Sequence, residues 1–134
     1  MEKSSVLKEG SEKKILIVDD DPVSLKILEK ILLSAGYWVA RARNGKEALS
    51  IAKDFRPDLI ILDIVMPVMD GTETIAFLEK NPKTKKIPVV FLTSLISKQE
   101  EMRKFAANRC FLAKPVEKDK LLKEIERCLG KSCN

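Results

Sequence analysis

The sequence predicts an α/β fold: one parallel five-stranded sheet with helices on both faces. Three observations carry that reading. Wholly apolar runs of Ile, Val and Leu recur at Ile15–Val18, Leu59–Leu62 and Val89–Leu92. Each run is too short for a helix, and strands of a parallel sheet buried on both faces read this way. Segments with helical apolar spacing lie between and after the runs, so a strand–helix alternation repeats five times. Right-handed crossovers then put helices on both sides of one sheet.

The elements follow in chain order. Residues 1–12 are polar and irregular and read as a flexible leader; residues 13–130 read as one domain and 131–134 as a tail. After the first strand, Pro22–Ala35 carries Val23, Ile27, Leu28, Ile31 and Leu32 at helical spacing. Asp21 suits its N-cap, Pro22 its first position and Gly36 its stop. Tyr37–Ala42 is a strand of mixed polarity and suits a sheet edge. Asn44–Phe55 carries Ala48, Leu49, Ala52 and Phe55, with Asn44 and Glu47 at capping spacing. After the Leu59–Leu62 strand, Thr72–Lys80 carries Ile75, Phe77 and Leu78. After the Val89–Leu92 strand, Ser97–Ala107 opens with a capping box of Ser97 and Glu100. Cys110–Ala113 is a short strand suited to the other edge. Glu117–Leu129 carries Leu121, Leu122, Ile125 and Leu129, with Gly130 as its stop.

Composition sets limits on function. A chain of 134 residues suits one domain and buries enough surface to fold without disulfides or a structural metal. It has no histidine, which excludes Ser–His and Cys–His catalysis, His-ligated zinc and phosphohistidine on this chain. Aromatic residues are 5%, too few for base-stacking surfaces. The net charge of +5 is spread among lysines and glutamates on helix faces. The densest basic run, Lys80, Lys83, Lys85 and Lys86, reads as a solvated loop and points weakly to nucleic acid. Cys110, Cys128 and Cys133 are odd in number and lack metal-ligand spacing, which suits a reduced cytoplasmic protein. No apolar run is long enough to span a membrane.

Ligands of such sheets bind beyond the carboxyl ends of the strands. The first strand delivers Asp19, Asp20 and Asp21 there, the third Asp63, the fourth Thr93 and Ser94, and the fifth Lys114. Asp21 is accounted for as a helix cap; Asp19 and Asp20 exceed what one cap needs. Two carboxylates ~4 Å apart repel by roughly 4 kcal/mol at an effective dielectric of ~20. A cluster of Asp19, Asp20 and Asp63 therefore calls for shared protons or a cation, and hard oxygen donors favour Mg²⁺. One ammonium, that of Lys114, cannot neutralise three carboxylates.

These residues resemble the receiver domain of two-component response regulators, in the pieces ILIVDDDP (15–22), PDLIILDIVMPVMDG (57–71), IPVVFLTS (87–94) and FLAKP (111–115). The resemblance implies a flavodoxin-like, doubly wound (βα)5 fold with strand order 2-1-3-4-5. It implies a phosphorelay switch in which Asp63 accepts a phosphoryl group, with Asp19, Asp20, Asp63 and the backbone carbonyl of Val65 holding Mg²⁺. Thr93 and Lys114 would grip phosphoryl oxygens, a cis Lys114–Pro115 bond would aim the lysine, and Thr93 and Phe111 would act as the switch. The phosphodonor would be a histidine kinase or a phosphotransfer protein. The output would pass to a downstream protein or a fused domain through the surface of the fourth helical segment, the fifth strand and the fifth helical segment, with phosphorylation-dependent homodimerisation open. Neither direct nucleic-acid nor membrane binding is implied. The chain would modify itself rather than turn over a substrate. The pattern departs from the family at Val68 and at Ala106–Arg109, where glycines are usual.

Two other classes fit less well. A haloacid-dehalogenase-type phosphatase needs a second aspartate two residues after the nucleophile, where this chain has Val65. A flavin module needs a Ser/Thr/Gly-rich phosphate loop after the first strand, where DDDP would repel phosphate. Gly130–Asn134 follow the last helix directly, which fits a natural stop or a regulatory piece of a larger multidomain regulator. Val65 and Leu95 stand where family members often carry polar groups that place the hydrolytic water. Self-dephosphorylation is therefore expected to be slow; radiolabelled phosphoprotein in Mg²⁺ should outlast several minutes, and loss within seconds to a few minutes would refute the reading.

Overall fold

The computed structural model describes residues 13–63, 71–93, 110–113 and 116–131. The elements run β1 (Lys14–Val18), α1 (Pro22–Ser34), β2 (Trp38–Ala42), α2 (Gly45–Phe55), β3 (Leu59–Asp63), α3 (Gly71–Lys80), β4 (Val89–Thr93), β5 (Cys110–Ala113) and α4 (Lys118–Lys131). The helix expected over Ser97–Ala107 lies outside the described residues. All neighbouring strands are parallel, in the order β2-β1-β3-β4-β5. The two strands of mixed or short sequence, β2 and β5, form the edges, as expected.

The apolar runs are explained by burial on both faces. Leu16 and Val18 of β1, Ile60 and Leu62 of β3, and Val89 and Phe91 of β4 pack with Ala48 and Ala52 of α2 and Leu78 of α3. The alternate residues Ile15, Ile17, Leu59, Ile61, Val90 and Leu92 pack with Leu25, Leu28 and Leu32 of α1 and Leu121, Ile125 and Cys128 of α4. The strand period of two thus feeds two separate cores. Each fully buried Leu or Ile contributes about 1.5–3 kcal/mol of transfer free energy. Among the described residues no helix is long and apolar enough to cross a membrane.

The start of α2 and the end of α1 are built as the sequence implies. Asn44 Oδ1 accepts from the Glu47 N–H (2.8 Å), and Glu47 Oε1 accepts from the Arg43 N–H (2.8 Å). At the end of α1 the Gly36 N–H donates to the Leu33 carbonyl (3.0 Å) and the Tyr37 N–H to the Leu32 carbonyl (3.1 Å). This is a Schellman closure, and Gly36 has the positive φ it demands (96°). Tyr37 then turns into the core beside Leu32. Burial, with a smaller contribution from the Glu126 carboxylate, raises its phenol above the ordinary value.

Three expectations are corrected. Gly130 does not stop the last helix, which runs on to Lys131. Glycine terminates a helix by taking positive φ, and Gly36 is the described glycine that does so; Gly130 stays helical at an exposed turn. Val23 and Ile27, placed in the apolar stripe of α1, are exposed. The buried stripe is Leu25, Leu28 and Leu32, because a helix with apolar residues around much of its girth can present only one side to the sheet. Phe77 of α3 is likewise exposed while Leu78 is buried.

Replacing Gly36 by alanine forces a Cβ into left-handed backbone. Gly36→Ala should lower the stability by about 1 kcal/mol or more, read as a lower urea midpoint with unchanged slope.

Candidate functional site

Parallel strands deliver their carboxyl ends to one edge. The register pairs Val18 of β1 with Leu62 of β3, so the next residues, Asp19 and Asp63, stand side by side. Asp63 is itself paired with Leu92 of β4. The Asp19 N–H donates to the Ala42 carbonyl at the end of β2 (3.1 Å), which fixes that side of the corner. Carboxylate oxygens of Asp19, Asp20 and Asp63 all lie within 4.8 Å of one another. Asp19 is 1% exposed and Asp63 6%, whereas Asp20 faces solvent.

The three consecutive aspartates have different surroundings. Asp19 Oδ1 accepts from the Asp21 N–H (3.0 Å), which bends the chain from strand into helix. Asp21 turns into the first turn of α1. Its Oδ1 accepts from the Val23 N–H (3.0 Å) and its Oδ2 from the Ser24 hydroxyl (3.2 Å). Asp21 is thus the N-cap of α1, as the sequence implies, and stands apart from the cluster. At this spacing the repulsion between the Asp19 and Asp63 carboxylates is about 3 kcal/mol at an effective dielectric of ~20. Three oxygen donors with one solvent-facing member fit a small hard cation that keeps some of its water.

The structure therefore brings Asp19, Asp20 and Asp63 together as expected. Thr93 closes β4 in register with Ala113, the residue before Lys114. The side chains of Thr93 and Phe111, together with Val65, Lys114 and the Lys114–Pro115 bond, lie outside the described residues.

Beside the cluster is a feature the sequence reading missed. Pro22, Leu25, Arg41, Arg43 and Glu47 line a hollow of about 370 Å³. Arg41 pairs with Glu29 (3.4 Å) and Arg43 with Glu47 (3.9 Å). The available signal was the pair of arginines at the carboxyl end of an edge strand next to β1.

Comparison with known proteins bears on this corner. The model of the response regulator receiver domain matches residues 15–126. The polar-differentiation response regulator DivK of Brucella anthropi is 32% identical over 119 residues, spanning 88% of this chain and 97% of DivK. Among solved structures, the receiver domain of a signal transduction histidine kinase from Syntrophus aciditrophicus is 36% identical. It has a TM-score of 0.79 and covers 89% of this chain and 91% of that one. The receiver domain of a sensor histidine kinase from Pseudomonas aeruginosa is 28% identical, with a TM-score of 0.81 over 90% of this chain and 99% of its own. That relative holds a magnesium ion coordinated in its active-site cleft.

The geometry makes the carboxylates energetically coupled. Asp20→Asn and Asp63→Asn each remove the same repulsion. The double variant should therefore gain less stability than the two single gains added together, by about 1 kcal/mol for a solvent-facing pair. Denaturant unfolding in low salt measures the difference, and added salt should shrink it.

Proposed function

The chain belongs to the response regulator receiver domain family of two-component signalling, and from that premise we propose that Asp63 is its phosphoryl acceptor. The observation that carries the reading is the junction of β1 and β3, where a nearly buried Asp63 lies within 4.8 Å of both Asp19 and Asp20. The donor is a phosphohistidine on a histidine kinase or phosphotransfer protein. A carboxylate oxygen of Asp63 attacks phosphorus in line, a P–O bond forms and the P–N bond to the imidazole breaks. The imidazole leaves with its electron pair and takes up a proton. The product is an acyl phosphate on Asp63, so the chain modifies itself and turns over no separate substrate.

The residues around the acceptor divide the remaining work. Asp19 and Asp20, with Asp63 and the Val65 carbonyl, would hold Mg²⁺. Bound there, Mg²⁺ offsets the clustered negative charge and the charge developing on the phosphoryl oxygens. Asp19 is set by its acceptance of the Asp21 N–H. Burial of Asp63 at the end of a central strand keeps its carboxylate in one place and limits bulk water near it. Thr93 and Lys114, each at or next to the carboxyl end of its strand, would grip the phosphoryl oxygens. Thr93 and Phe111 would carry the change to the output surface.

The test is phosphoryl transfer from a radiolabelled phosphorylated kinase in Mg²⁺. Asp63→Asn should abolish incorporation while its circular dichroism stays native, and Lys114→Ala should keep part of it while losing signal output. Unchanged stoichiometry in Asp63→Asn would place the acceptor elsewhere.

A further inference from the structure

Away from the aspartates, the outer sides of α2 and α3 leave a small groove. It is lined by Leu49 and Lys53 of α2, Phe77 of α3, and Asn81 and Thr84 of the turn that follows. Phe77 is 48% exposed, an unusual setting for an aromatic ring on a helix that buries Leu78 beside it. The ammonium of Lys80 lies over that ring, 5.6 Å from its centre. Two polar side chains of the turn are bonded to backbone. Thr84 donates its hydroxyl to the Leu78 carbonyl (2.6 Å), and Asn81 Oδ1 accepts from the Lys83 N–H (2.9 Å). What the groove leaves on offer is apolar surface and positive charge.

Lysines outnumber carboxylates here: exposed Asp54 and Glu79 adjoin Lys53 and Lys80, and the turn beyond α3 adds only lysines. Lys53, Lys80, Lys83, Lys85 and Lys86 are all exposed. No ion pair among the described residues engages any of them. Residues 81–87 contain three of these lysines and no carboxylate. The size of the groove, about 130 Å³, is close to a cavity that accepts one benzene-sized group. It has room for a single apolar side chain and not for a row of stacked bases, which need several aromatic platforms.

We propose that this groove docks an acidic segment of a partner protein. One apolar side chain of the segment packs on Phe77 and Leu49, and its carboxylates face Lys53, Lys80 and Lys83. Charge complementarity speeds the encounter and the apolar anchor fixes the register. The groove runs from Leu49 in the middle of α2 to the carboxyl-terminal turns of α2 and α3. Helices that return from the strand ends place those turns at the sheet edge opposite the aspartates. The proposal is therefore independent of the phosphoacceptor reading, and a partner seated here leaves Asp63 accessible.

The test uses the full chain and the peptide acetyl-Glu-Asp-Glu-Leu-Glu-Asp-Glu-amide, followed by heteronuclear NMR. Saturable shifts are expected at Leu49, Lys53, Phe77 and Asn81. Affinity should fall about tenfold when the peptide's leucine becomes serine, in line with loss of a buried side chain. Phe77→Ser and Lys53→Glu should each weaken binding by several-fold, while Asp63 phosphorylation stays at the parent level. Phe77 is half exposed, so the variant keeps its core. The proposal is overturned by unsaturable shifts, or by equal affinity for the serine peptide, which would reveal only diffuse attraction to lysines. It is equally overturned if oligo-dT or phosphatidylserine vesicles bind these residues more tightly than the peptide.

Discussion

The pairing of β1 with β3 holds like charges together, and the rest of the molecule is arranged around that constraint. Val18 and Leu62 are neighbours in a ladder whose side chains are wholly buried on both faces. The carboxylates that follow cannot drift apart without breaking that ladder. The apolar cores therefore supply the restraint against which the repulsion is maintained. A site assembled on mobile loops could relieve the same repulsion by moving, and would then have less need of a bound cation. Here the strain stays local, and neutralising charge is drawn to one corner.

The three consecutive aspartates show how little sequence is needed to separate roles. Asp19 still belongs to the strand direction and is buried, Asp20 faces outward, and Asp21 is consumed by the first turn of α1. Asp19 also accepts from the backbone of Asp21, so the helix cap and the acidic corner are mechanically linked. The cap fixes where α1 begins, and the start of α1 fixes how the chain leaves β1.

Much of the architecture was legible because burial on two faces leaves an unmistakable trace. Four consecutive apolar residues at Leu59–Leu62 can only be a strand covered on both sides or part of a longer buried helix, and the flanking Pro57 and Asp63 leave no length for the latter. The acidic corner followed from topology, since every parallel strand ends on the same edge. What was less legible depended on tertiary choice. Nothing in the periodicity of α1 tells that Leu25 faces the sheet while Val23 and Ile27 do not, because apolar residues mark more than one side. Phe77 gave no sign of exposure, because its neighbour Leu78 is equally apolar. Gly130 read as a stop because glycine permits one; the backbone simply did not use the option. The arginines beside the corner carried a weak signal, alternation at an edge strand, that makes sense only once β2 is known to lie against β1.

Cys128, on the sheet-facing side of α4, is 1% exposed, in the core that also contains Ile17, Ile61 and Leu92. A thiol so placed meets an alkylating reagent only when α4 lifts from the sheet. Its modification rate is thus a chemical clock for that opening. Read at Cys128 itself, apart from Cys110 and Cys133, that rate reports how often α4 leaves the sheet whose strand ends carry the aspartates.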